Sequence, residues 1–590
     1  MCGIIGYKGG RNANEVVLKG LQELEYRGYD SWGIASHANN TNLQLIKEVG
    51  KVGTVTLVDL NLKEAHEAIG HTRWSTHGRV TKVNAHPHSS QKGDFMLVQN
   101  GIVENFQELK QELQQKGYPF NSQTDSEVIV RLIEEQQITT SSLPEAVGKA
   151  FLLLKGRNAI AVLQAHTGTI IAVRHGSPLL LGMGEEEYFL ASDANPLLEY
   201  TSQILFLQDL EMVVLQEKPS ITHLGTGQQI QRSPETISWT REQAKKCAYP
   251  HFMLKEILEQ GHTIKAALAQ DPALIHAIVS AINEAFGVYI VGCGTAGKVS
   301  LAGTYAFSAI AKKHVNFAFG SEFANYHHFL KEKSLLLAVS QSGETADTLE
   351  AIDTLRQKGG TVISLVNVMG STMVRQSDYS LLLHAGPEIA VCSTKATTAQ
   401  LALLLLLAYT TAQRYEEGCQ LLTRTSAAVI AMLQEDFCQR IQSIAAQLQT
   451  QENMYIIGRG INYPMALEAA IKIQEVSYIH AEGFAGGELK HGPIALITKG
   501  TPAIILVAND DTKDDLLSNA MEIKSRGGHI IGVSPEKNDL FDVWIPVPDV
   551  GIASPIVNII PIQLLAYYLA VARGCDPDKP RNLAKAVTVK

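Results

Sequence analysis

The second half of the sequence contains an internal repeat, which constrains the fold more than any other feature. The stretch GVYIVGCGTAGKVSLAG at 287–303 is echoed by NMYIIGRGINYPMALEA at 453–469. Further on, SLLLAVSQSGET at 334–345 is echoed by PAIILVANDDTK at 502–513. Each copy contains apolar β-like runs, polar turns and helix-like stretches in the same order. Strands that alternate with helices form βαβ units, so we predict two tandem, doubly wound parallel sheets between about residues 287 and 574.

The two copies differ in the loop that follows the second β-like run. The first copy has SQSGET at 340–345, whereas the second has NDDTKD at 509–514. Hydroxyls and backbone N–H groups at a helix N-terminus favour an anion, and carboxylates repel one. We therefore expect only the first copy to bind phosphate, although SQSGET is also compatible with an ordinary capping box.

The first 235 residues show short β-like runs and turns without this repeat. A chain of 590 residues is too long for a single core. A polar stretch follows the first region and marks a linker. The predicted organisation is a first domain at 1–235, a linker at 236–250, two α/β domains at 251–415 and 416–576, and a C-terminal tail at 577–590.

Cys2 is the only cysteine among the first two hundred residues. Removal of Met1 makes it the N-terminal residue, which places a thiol and an α-amine on one residue. An α-amine has a reference pKa of about 7.7–8.0 and can take the thiol proton directly or through water. This position predicts an N-terminal nucleophile.

Polar clusters downstream supply the other groups that such a nucleophile needs. Asn100 and the N–H of Gly101 can stabilise an oxyanion. Arg73 can bind a carboxylate and Asp125 an ammonium, which together describe an amino-acid substrate. His71, His77, His86 and His88 lack a metal-ligand spacing with cysteines or carboxylates. We therefore predict no metal site.

Composition excludes several other classes of protein. A net charge of -9 and a pI near 6.1 argue against a nucleic-acid binder. The apolar run at 401–409 is too short to span a bilayer, and a second run at 551–574 is interrupted by Asn558, Pro561 and Gln563. The N-terminus shows no secretory signal pattern. Seven scattered cysteines are typical of a reducing compartment, so we expect a cytoplasmic protein without membrane attachment.

Several motifs resemble known families. MCGIIG, LEYRGYDS, GHTRWSTHG, NAHPH, NGIVEN and TDSE resemble the class II, N-terminal-nucleophile glutamine amidotransferase domain. SQSGETADT, STKA, YIHAEGFAGGELKHGP and PRNLAKAVTVK resemble paired sugar-isomerase (SIS) domains. Their combination resembles the glutamine–fructose-6-phosphate aminotransferase (isomerising) family. The resemblance implies an α/β protein with a four-layer αββα glutaminase domain followed by two tandem doubly wound SIS domains.

The resemblance also implies an activity and its residues. The family makes D-glucosamine 6-phosphate and L-glutamate from D-fructose 6-phosphate and L-glutamine without a cofactor, as the first step of amino-sugar synthesis. The implied glutaminase residues are Cys2, Asn100 and Gly101 for catalysis, Arg73, Thr76, His77 and Asp125 for glutamine, and Trp74 as the gate of an ammonia channel. The implied catalytic residues of the isomerase are Lys585 for the Schiff base, Glu475 for proton transfer and His491 for ring opening. The implied sugar-phosphate residues are Thr295, Ser340, Gln341, Ser342, Thr345, Val391, Ser393, Lys472 and Glu468.

Three positions depart from the family pattern and leave alternative functions open. Ala296 replaces a usual serine, Gln99 a frequent histidine and Trp32 a usual alanine. A paralogue with another phosphorylated acceptor and a non-catalytic sugar-phosphate sensor are the alternative functions. The retained Lys585, Glu475 and His491 argue against a sensor. The resemblance further implies a homodimer in which His491 reaches the neighbouring subunit's site.

Overall fold

Cys2 and the internal repeat lie in different parts of the molecule. The computed structural model describes residues 2–38, 43–237, 239–240 and 242–588. It divides into two units, Met1–Ala244 with Ala584–Lys590, and Lys245–Leu583. The division lies within the stretch 236–250 that was interpreted as a linker, and the segment that follows Leu583 groups with the first unit.

The first unit consists mainly of short strands joined by turns. Its strands are β1 (Gly3–Lys8), β2 (Ser31–His37), β3 (Gln44–Val49), β4 (Glu67–Arg73), β5 (His88–Ser89), β6 (Phe95–Gly101), β7 (Asn158–Gln164), β8 (Ile170–His175), β9 (Leu180–Met183), β10 (Tyr188–Ala191), β11 (Gln203–Phe206), β12 (Glu211–Leu215), β13 (Pro219–His223), β14 (Gln229–Ile230) and β15 (Glu235–Thr236). Its helices are α1 (Ala13–Leu24), α2 (Leu57–Leu60), α3 (Phe106–Gln115), α4 (Ser126–Gln137) and α5 (Leu143–Leu152).

These strands form two antiparallel sheets that face each other. The orders are β15-β11-β9-β10-β1-β4-β2-β3 and β14-β13-β12-β8-β7-β6-β5. Because side chains alternate along a strand, Ile4 faces the core between the sheets while Ile5 faces α1. Gly20 permits that contact, since a Cβ there would lie 2.7 Å from Ile5 Cγ1. On the opposite side, Ile129 of α4 and Val147 of α5 pack against the second sheet. The predicted αββα layering is confirmed.

The second unit contains the helices and strands of the repeat. Its strands are β16 (Gly287–Gly292), β17 (Asn316–Phe319), β18 (Ser334–Val339), β19 (Thr361–Val366), β20 (Tyr379–Leu382), β21 (Asn453–Gly458), β22 (His480–Ala485), β23 (Pro502–Leu506), β24 (His529–Ser534) and β25 (Val543–Pro546). Its helices are α6 (Phe252–Leu258), α7 (Gln260–Ala267), α8 (Pro272–Glu284), α9 (Gly294–Ala306), α10 (Gly320–Phe323), α11 (Ala346–Arg356), α12 (Thr372–Arg375), α13 (Lys395–Thr411), α14 (Tyr415–Met432), α15 (Glu435–Leu448), α16 (Tyr463–Ser477), α17 (Lys513–Lys524) and α18 (Ser554–Ala572).

Both copies of the repeat form a five-stranded parallel sheet with the same strand order. The first sheet is β17-β16-β18-β19-β20 and the second is β22-β21-β23-β24-β25. Counted within each copy, both orders are 2-1-3-4-5, in which the connections leave the first and third strands in opposite directions. A ligand crevice is expected outside the carboxyl ends of these two strands. The repeat is confirmed, and it places the SQSGET loop of the first copy at that crevice.

The two longest apolar runs form core helices of the second unit. Helix α13 is buried along nearly its whole length, as predicted for the run at 401–409. Gly551–Ala572 is long and apolar enough to cross a membrane, but 83% of its most apolar stretch is buried inside the protein. Asn558 and Gln563 do not interrupt α18, because they hydrogen-bond to Asn462 (3.0 Å) and Gln260 (2.7 Å). Helix α18 also continues through Pro561.

We expect Leu190→Ala to destabilise the first unit. Leu190 is fully buried between the two sheets, and such a truncation costs about 2–5 kcal/mol because it leaves a cavity. The melting temperature, followed by circular dichroism, should fall by about 5 °C or more. Leu152→Ala on α5 is the control, because 49% of Leu152 is already exposed. Equal melting temperatures for the two variants would contradict the packing described.

Candidate functional site

Strand pairing determines the position of Cys2. Strand β1 runs antiparallel to β4 with Gly3 opposite Thr72, so Cys2 lies beside the turn that follows Arg73. The backbone N–H of Trp74 donates to Cys2 Sγ at 3.3 Å, and the thiol lies 3.5 Å from the Trp74 carbonyl oxygen. The half-buried thiol is therefore held on the backbone of the turn that also carries the predicted glutamine-binding residues.

The environment of Cys2 keeps its thiol protonated at neutral pH. Desolvation by burial raises the pKa of Cys2, and the hydrogen bond from the Trp74 N–H only partly opposes this effect. The thiolate is the nucleophilic form of cysteine. A base must therefore remove the proton during the reaction, and the α-amine of a processed Cys2 is the nearest group that can do so by covalent geometry.

The end of β6 places a polar side chain and a glycine next to Cys2. Asn100 Nδ2 donates to the carbonyl oxygen of Cys2 at 3.0 Å. Gly101 has a φ of 114°, and a Cβ there would lie 1.9 Å from the carbonyl oxygen of Arg157. Glycine is therefore the residue type that position 101 requires. Asn100 and Gly101 are brought to Cys2, as the oxyanion interpretation requires.

His71 orients Asn100, a role that sequence analysis missed. Its Nε2 lies 2.9 Å from the Gln99 carbonyl oxygen and 3.1 Å from Asn100 Oδ1. Both atoms are acceptors, so Nε2 carries the proton and donates. Burial lowers the pKa of His71 to about 3, so the ring is neutral. Because Asn100 Oδ1 accepts this hydrogen bond from His71, the NH2 group of Asn100 points to Cys2.

His71, His86 and His88 form a buried column. The His71 and His86 rings stack at 4.1 Å between centroids, and His88 meets His86 edge-on at 4.8 Å. Burial lowers the pKa of His86 and His88 well below the ordinary value. Their ring nitrogens lie near the Ser126 hydroxyl (3.2 Å) and the Thr124 hydroxyl (3.1 Å). The burial and these contacts indicate that the three histidines are neutral and have a structural role.

The three departures from the family pattern occupy defined positions. Gln99 accepts a hydrogen bond from the Ser126 hydroxyl at 2.5 Å and donates to Asn158 Oδ1 at 2.8 Å. It therefore joins β6 to α4 and β7 behind the Cys2 site. Trp32 is buried on β2 opposite Thr72. Ala296 lies half-buried in the first turn of α9.

Two opposite charges lie close to Cys2. Arg73 and Asp125 are almost completely buried, and the charges of both affect the pKa of the Cys2 thiol. Asp125 accepts a hydrogen bond from the Val103 N–H at 2.8 Å, and desolvation raises the pKa of its carboxyl group. Arg73 donates to the carbonyl oxygen of His77. A cation and a carboxylate beside one nucleophile can bind the two ends of an amino acid.

In the second unit, the SQSGET loop lies at the switch point between β16 and β18. The Gly343 N–H donates to Ser340 Oγ at 3.0 Å, and Ser340 Oγ lies 3.2 Å from Thr345 Oγ1. The Glu344 N–H donates to Ser342 Oγ at 3.2 Å. Thr345 directly precedes the first residue of α11. Hydroxyls thus surround a helix N-terminus, as a phosphate site requires.

The corresponding loop of the second copy is closed by acidic side chains. Asp510 accepts hydrogen bonds from the backbone and hydroxyl of Thr512 at 2.8 and 2.7 Å. Asn509 donates to Asp549 at 2.9 Å, and Lys513 pairs with Glu536 at 2.8 Å. This environment agrees with the expectation that only the first copy suits an anion.

A buried ion network on α16 joins the two copies of the repeat. Lys472 is fully buried, and its Nζ lies 2.5 Å from Glu475 Oε2 and 3.5 Å from Glu468 Oε1. The Thr295 hydroxyl of α9 donates to Glu468 Oε1 at 2.9 Å. Burial raises the pKa of Glu468 to about 7, whereas the two carboxylates raise that of Lys472. Four predicted sugar-site residues are therefore in one network.

The segment that carries Val391 and Ser393 is held by hydrogen bonds to its backbone. Glu256 of α6 accepts from the Ile389 N–H at 2.6 Å, and the carbonyl oxygen of Asp578 accepts from the Val391 N–H at 3.0 Å. Glu388 accepts from the backbone N–H groups that begin α13. The Asp578 carboxylate in turn accepts from the first N–H groups of α6, at 2.9 and 2.8 Å. Sequence analysis did not identify this support.

The two remaining predicted catalytic residues are His491 and Lys585. His491 is exposed at the end of a short 3-10 helix, Gly486–His491. Lys585 lies in the terminal segment that groups with the first unit. Arg581 lies four residues before Lys585. Its backbone N–H donates at 2.7 Å to the hydroxyl of Tyr478, the residue that directly follows α16.

Comparisons with family profiles match both halves of the chain. The SIS domain profile matches residues 281–410 and 447–573. The glutamine amidotransferase domain profile matches residues 71–199.

Curated relatives match over the full length. A glutamine–fructose-6-phosphate aminotransferase (isomerizing) from Thermococcus kodakarensis is 43% identical, with 100% of both chains covered. Proteins of the same name from Geobacillus kaustophilus and Bacillus subtilis are each 42% identical, again with 100% of both chains covered. Among solved structures, the C-terminal domain of glucosamine-fructose-6-phosphate aminotransferase from Francisella tularensis matches with a TM-score of 0.52 and 32% identity, covering 57% of this chain and 99% of that one.

Glu468 should make stability depend on pH in a specific direction. Its pKa in the folded protein, about 7, lies above the ordinary value, so the folded state is favoured by protonation. This contribution is present at pH 4 and is lost as the pH rises toward 7. Glutamine mimics the protonated form, so Glu468→Gln should be more stable relative to the wild type at pH 8 than at pH 5.

Calorimetric melting temperatures at the two pH values measure this effect. Glu416→Gln, on the exposed side of α14, is the control and should show no such change. A difference between Glu468→Gln and wild type that does not change with pH would contradict a raised Glu468 pKa.

Proposed function

The chain belongs to the glutamine–fructose-6-phosphate aminotransferase (isomerizing) family, and on this premise we propose that it converts L-glutamine and D-fructose 6-phosphate to L-glutamate and D-glucosamine 6-phosphate. The observation that carries the proposal is the contact of Cys2 with Trp74 and Asn100, within a chain that matches these relatives from end to end. Retention of both halves favours the complete reaction over a sensor or a paralogue with another acceptor.

In the first half, the processed Cys2 attacks the side-chain amide carbon of glutamine. Its α-amine takes the thiol proton, because the raised pKa of Cys2 leaves little thiolate at neutral pH. Asn100 Nδ2 and the Gly101 N–H stabilise the tetrahedral oxyanion, and His71 keeps Asn100 in the required orientation. The α-ammonium then returns this proton to the amide nitrogen, and collapse of the intermediate releases ammonia and leaves a glutamyl thioester, which water hydrolyses to glutamate.

Recognition of glutamine follows from the charges around Cys2. Arg73 binds the α-carboxylate and Asp125 the α-ammonium, with Thr76 and His77 completing the site. The backbone N–H and carbonyl oxygen of Trp74 both contact the Sγ atom of Cys2. We assign its side chain to the gate through which ammonia leaves without being protonated by bulk water.

In the second half, the sugar phosphate binds at the first α/β copy. The phosphate-binding residues are Thr295, Ser340, Gln341, Ser342 and Thr345, with Val391 and Ser393 beside the sugar. His491 assists ring opening, and Lys585 condenses with the ketose carbonyl to a Schiff base with loss of water. Ammonia then replaces the lysine nitrogen at this carbon and frees the Lys585 amine. Glu475 moves a proton between the first two sugar carbons, and its contact with Lys472 at 2.5 Å holds the carboxylate in place. Glu468 forms a second ion pair with Lys472.

We further propose the organisation of the protein in the cell. The domain limits are 1–235, 251–415 and 416–576, with the linker at 236–250 and the lysine-bearing tail at 577–590. The protein acts as a cytoplasmic homodimer in which His491 enters the neighbouring subunit's site. An exposed His491 and seven free cysteines support this proposal.

Cys2→Ala should abolish glutamine hydrolysis and leave sugar isomerisation intact. The change removes the nucleophile but no group of the second unit. Glutamate release and conversion of fructose 6-phosphate to glucose 6-phosphate are measured on the same preparation. Cys419→Ala, a half-buried cysteine on α14, is the control. Formation of glucosamine 6-phosphate from glutamine at the normal rate by Cys2→Ala would refute the assignment.

Borohydride should trap fructose 6-phosphate on Lys585. Reduction converts a Schiff base to a stable amine, so peptide mass spectrometry locates the modified residue. Lys585→Arg should give no adduct, because a guanidinium does not form a Schiff base. An adduct on another lysine of the wild-type protein would reject the role proposed for Lys585.

A further inference from the structure

Lys298 lies on α9, three residues after Thr295. Residues three apart lie on the same face of a helix, and helical side chains lean toward its N-terminus. The side chain of Lys298 therefore extends toward Thr295 at the switch point. Its ammonium lies within electrostatic range of Glu468 and Glu475, both of which affect its pKa. Lys298 thus shares the crevice with the proposed isomerase residues.

The ammonium of Lys298 is partly buried without a hydrogen-bonded anion. In the described parts of the chain it forms no hydrogen bond or ion pair, and its Nζ lies 5.0 Å from the centroid of the Phe319 ring. Gly297 makes room for this ring, since a Cβ there would lie 2.9 Å from it. Burial lowers the pKa of Lys298 despite the nearby carboxylates. A bound anion would offset this cost of desolvation.

Among the described residues of α9, α16 and the SQSGET loop, no other lysine or arginine is free to pair with a phosphate dianion. Lys472 is already paired with Glu475 and Glu468. The SQSGET loop offers neutral hydroxyls such as Ser340 and the N–H groups of a helix N-terminus. Two carboxylates nearby would repel an anion unless a second cation were present. Lys298 is the side chain in the described crevice that meets this requirement.

We propose that the ammonium of Lys298 binds the phosphate group of the sugar substrate, as a cationic ligand in addition to the hydroxyls of the SQSGET loop. The proposal rests on the proposed function, because it assumes that the crevice holds a phosphorylated sugar. It also gives Phe319 and Gly297 a role: the ring supports the stem of Lys298, and the glycine admits the ring.

The test compares Lys298→Met, which keeps the stem and removes the charge, with Lys298→Arg, which keeps the charge. The KM for fructose 6-phosphate should rise about tenfold in Lys298→Met, as expected for one charge-assisted hydrogen bond, with kcat within about twofold of wild type. Inorganic phosphate should inhibit this variant about tenfold more weakly. Lys298→Arg should recover most of both effects.

Lys313→Met is the matched control, because Lys313 is also half-buried and follows the far end of α9. It should leave KM and phosphate inhibition unchanged. An unchanged KM in Lys298→Met would overturn the proposal, and so would a raised KM with normal phosphate inhibition or a fall in kcat alone. If the wild type made no glucosamine 6-phosphate, the proposed function would fail instead. Thermal stabilisation by inorganic phosphate, compared between wild type and Lys298→Met, would still decide the role of Lys298.

Discussion

The completely buried ammonium of Lys472 constrains the second unit, because a charge without solvent must be compensated at fixed distances. Glu475 and Glu468 supply that compensation from the same helix, at 2.5 and 3.5 Å. Glu468 also accepts the hydroxyl of Thr295, which belongs to the other copy of the repeat. Glu468 therefore joins the two copies, and its partner Lys472 also holds Glu475, the residue proposed as the proton carrier. The contact between the copies and the proposed proton carrier belong to one network.

In the first unit, the groups that orient Asn100 beside Cys2 are neutral. The nucleophile proposed here, Cys2, needs an oriented amide, and a charged partner on Asn100 would disturb the proposed oxyanion site. His71 provides an N–H donor that stays neutral because burial lowers its pKa to about 3. Strand pairing between β1 and β4 brings Cys2 to this donor system. The position of Cys2 thus depends on backbone register.

Much of this arrangement was predictable from local patterns. The repeat predicted both parallel sheets, and the sequence also predicted that Asn100 and Arg73 lie beside Cys2. The His71–Asn100 bond was missed because polar histidines in a sequence carry no sign of their partners. The support of the segment 389–391 by Glu256 and Asp578 was missed as well, since residues more than 130 positions apart meet only in the folded chain. The polar residues in the apolar run at 551–574 argued against a membrane span, and the buried partner of Asn558 could not be read from the sequence.

The central claim is that nitrogen passes from glutamine to the sugar within one protein. The most direct measurement supplies glutamine labelled with nitrogen-15 in its side-chain amide, together with fructose 6-phosphate and an excess of unlabelled ammonium. Mass spectrometry of the amino sugar then reports the source of its nitrogen. Direct transfer predicts glucosamine 6-phosphate that carries the label despite the excess ammonium. Product with unlabelled nitrogen, or glutamate formed without any amino sugar, would contradict it.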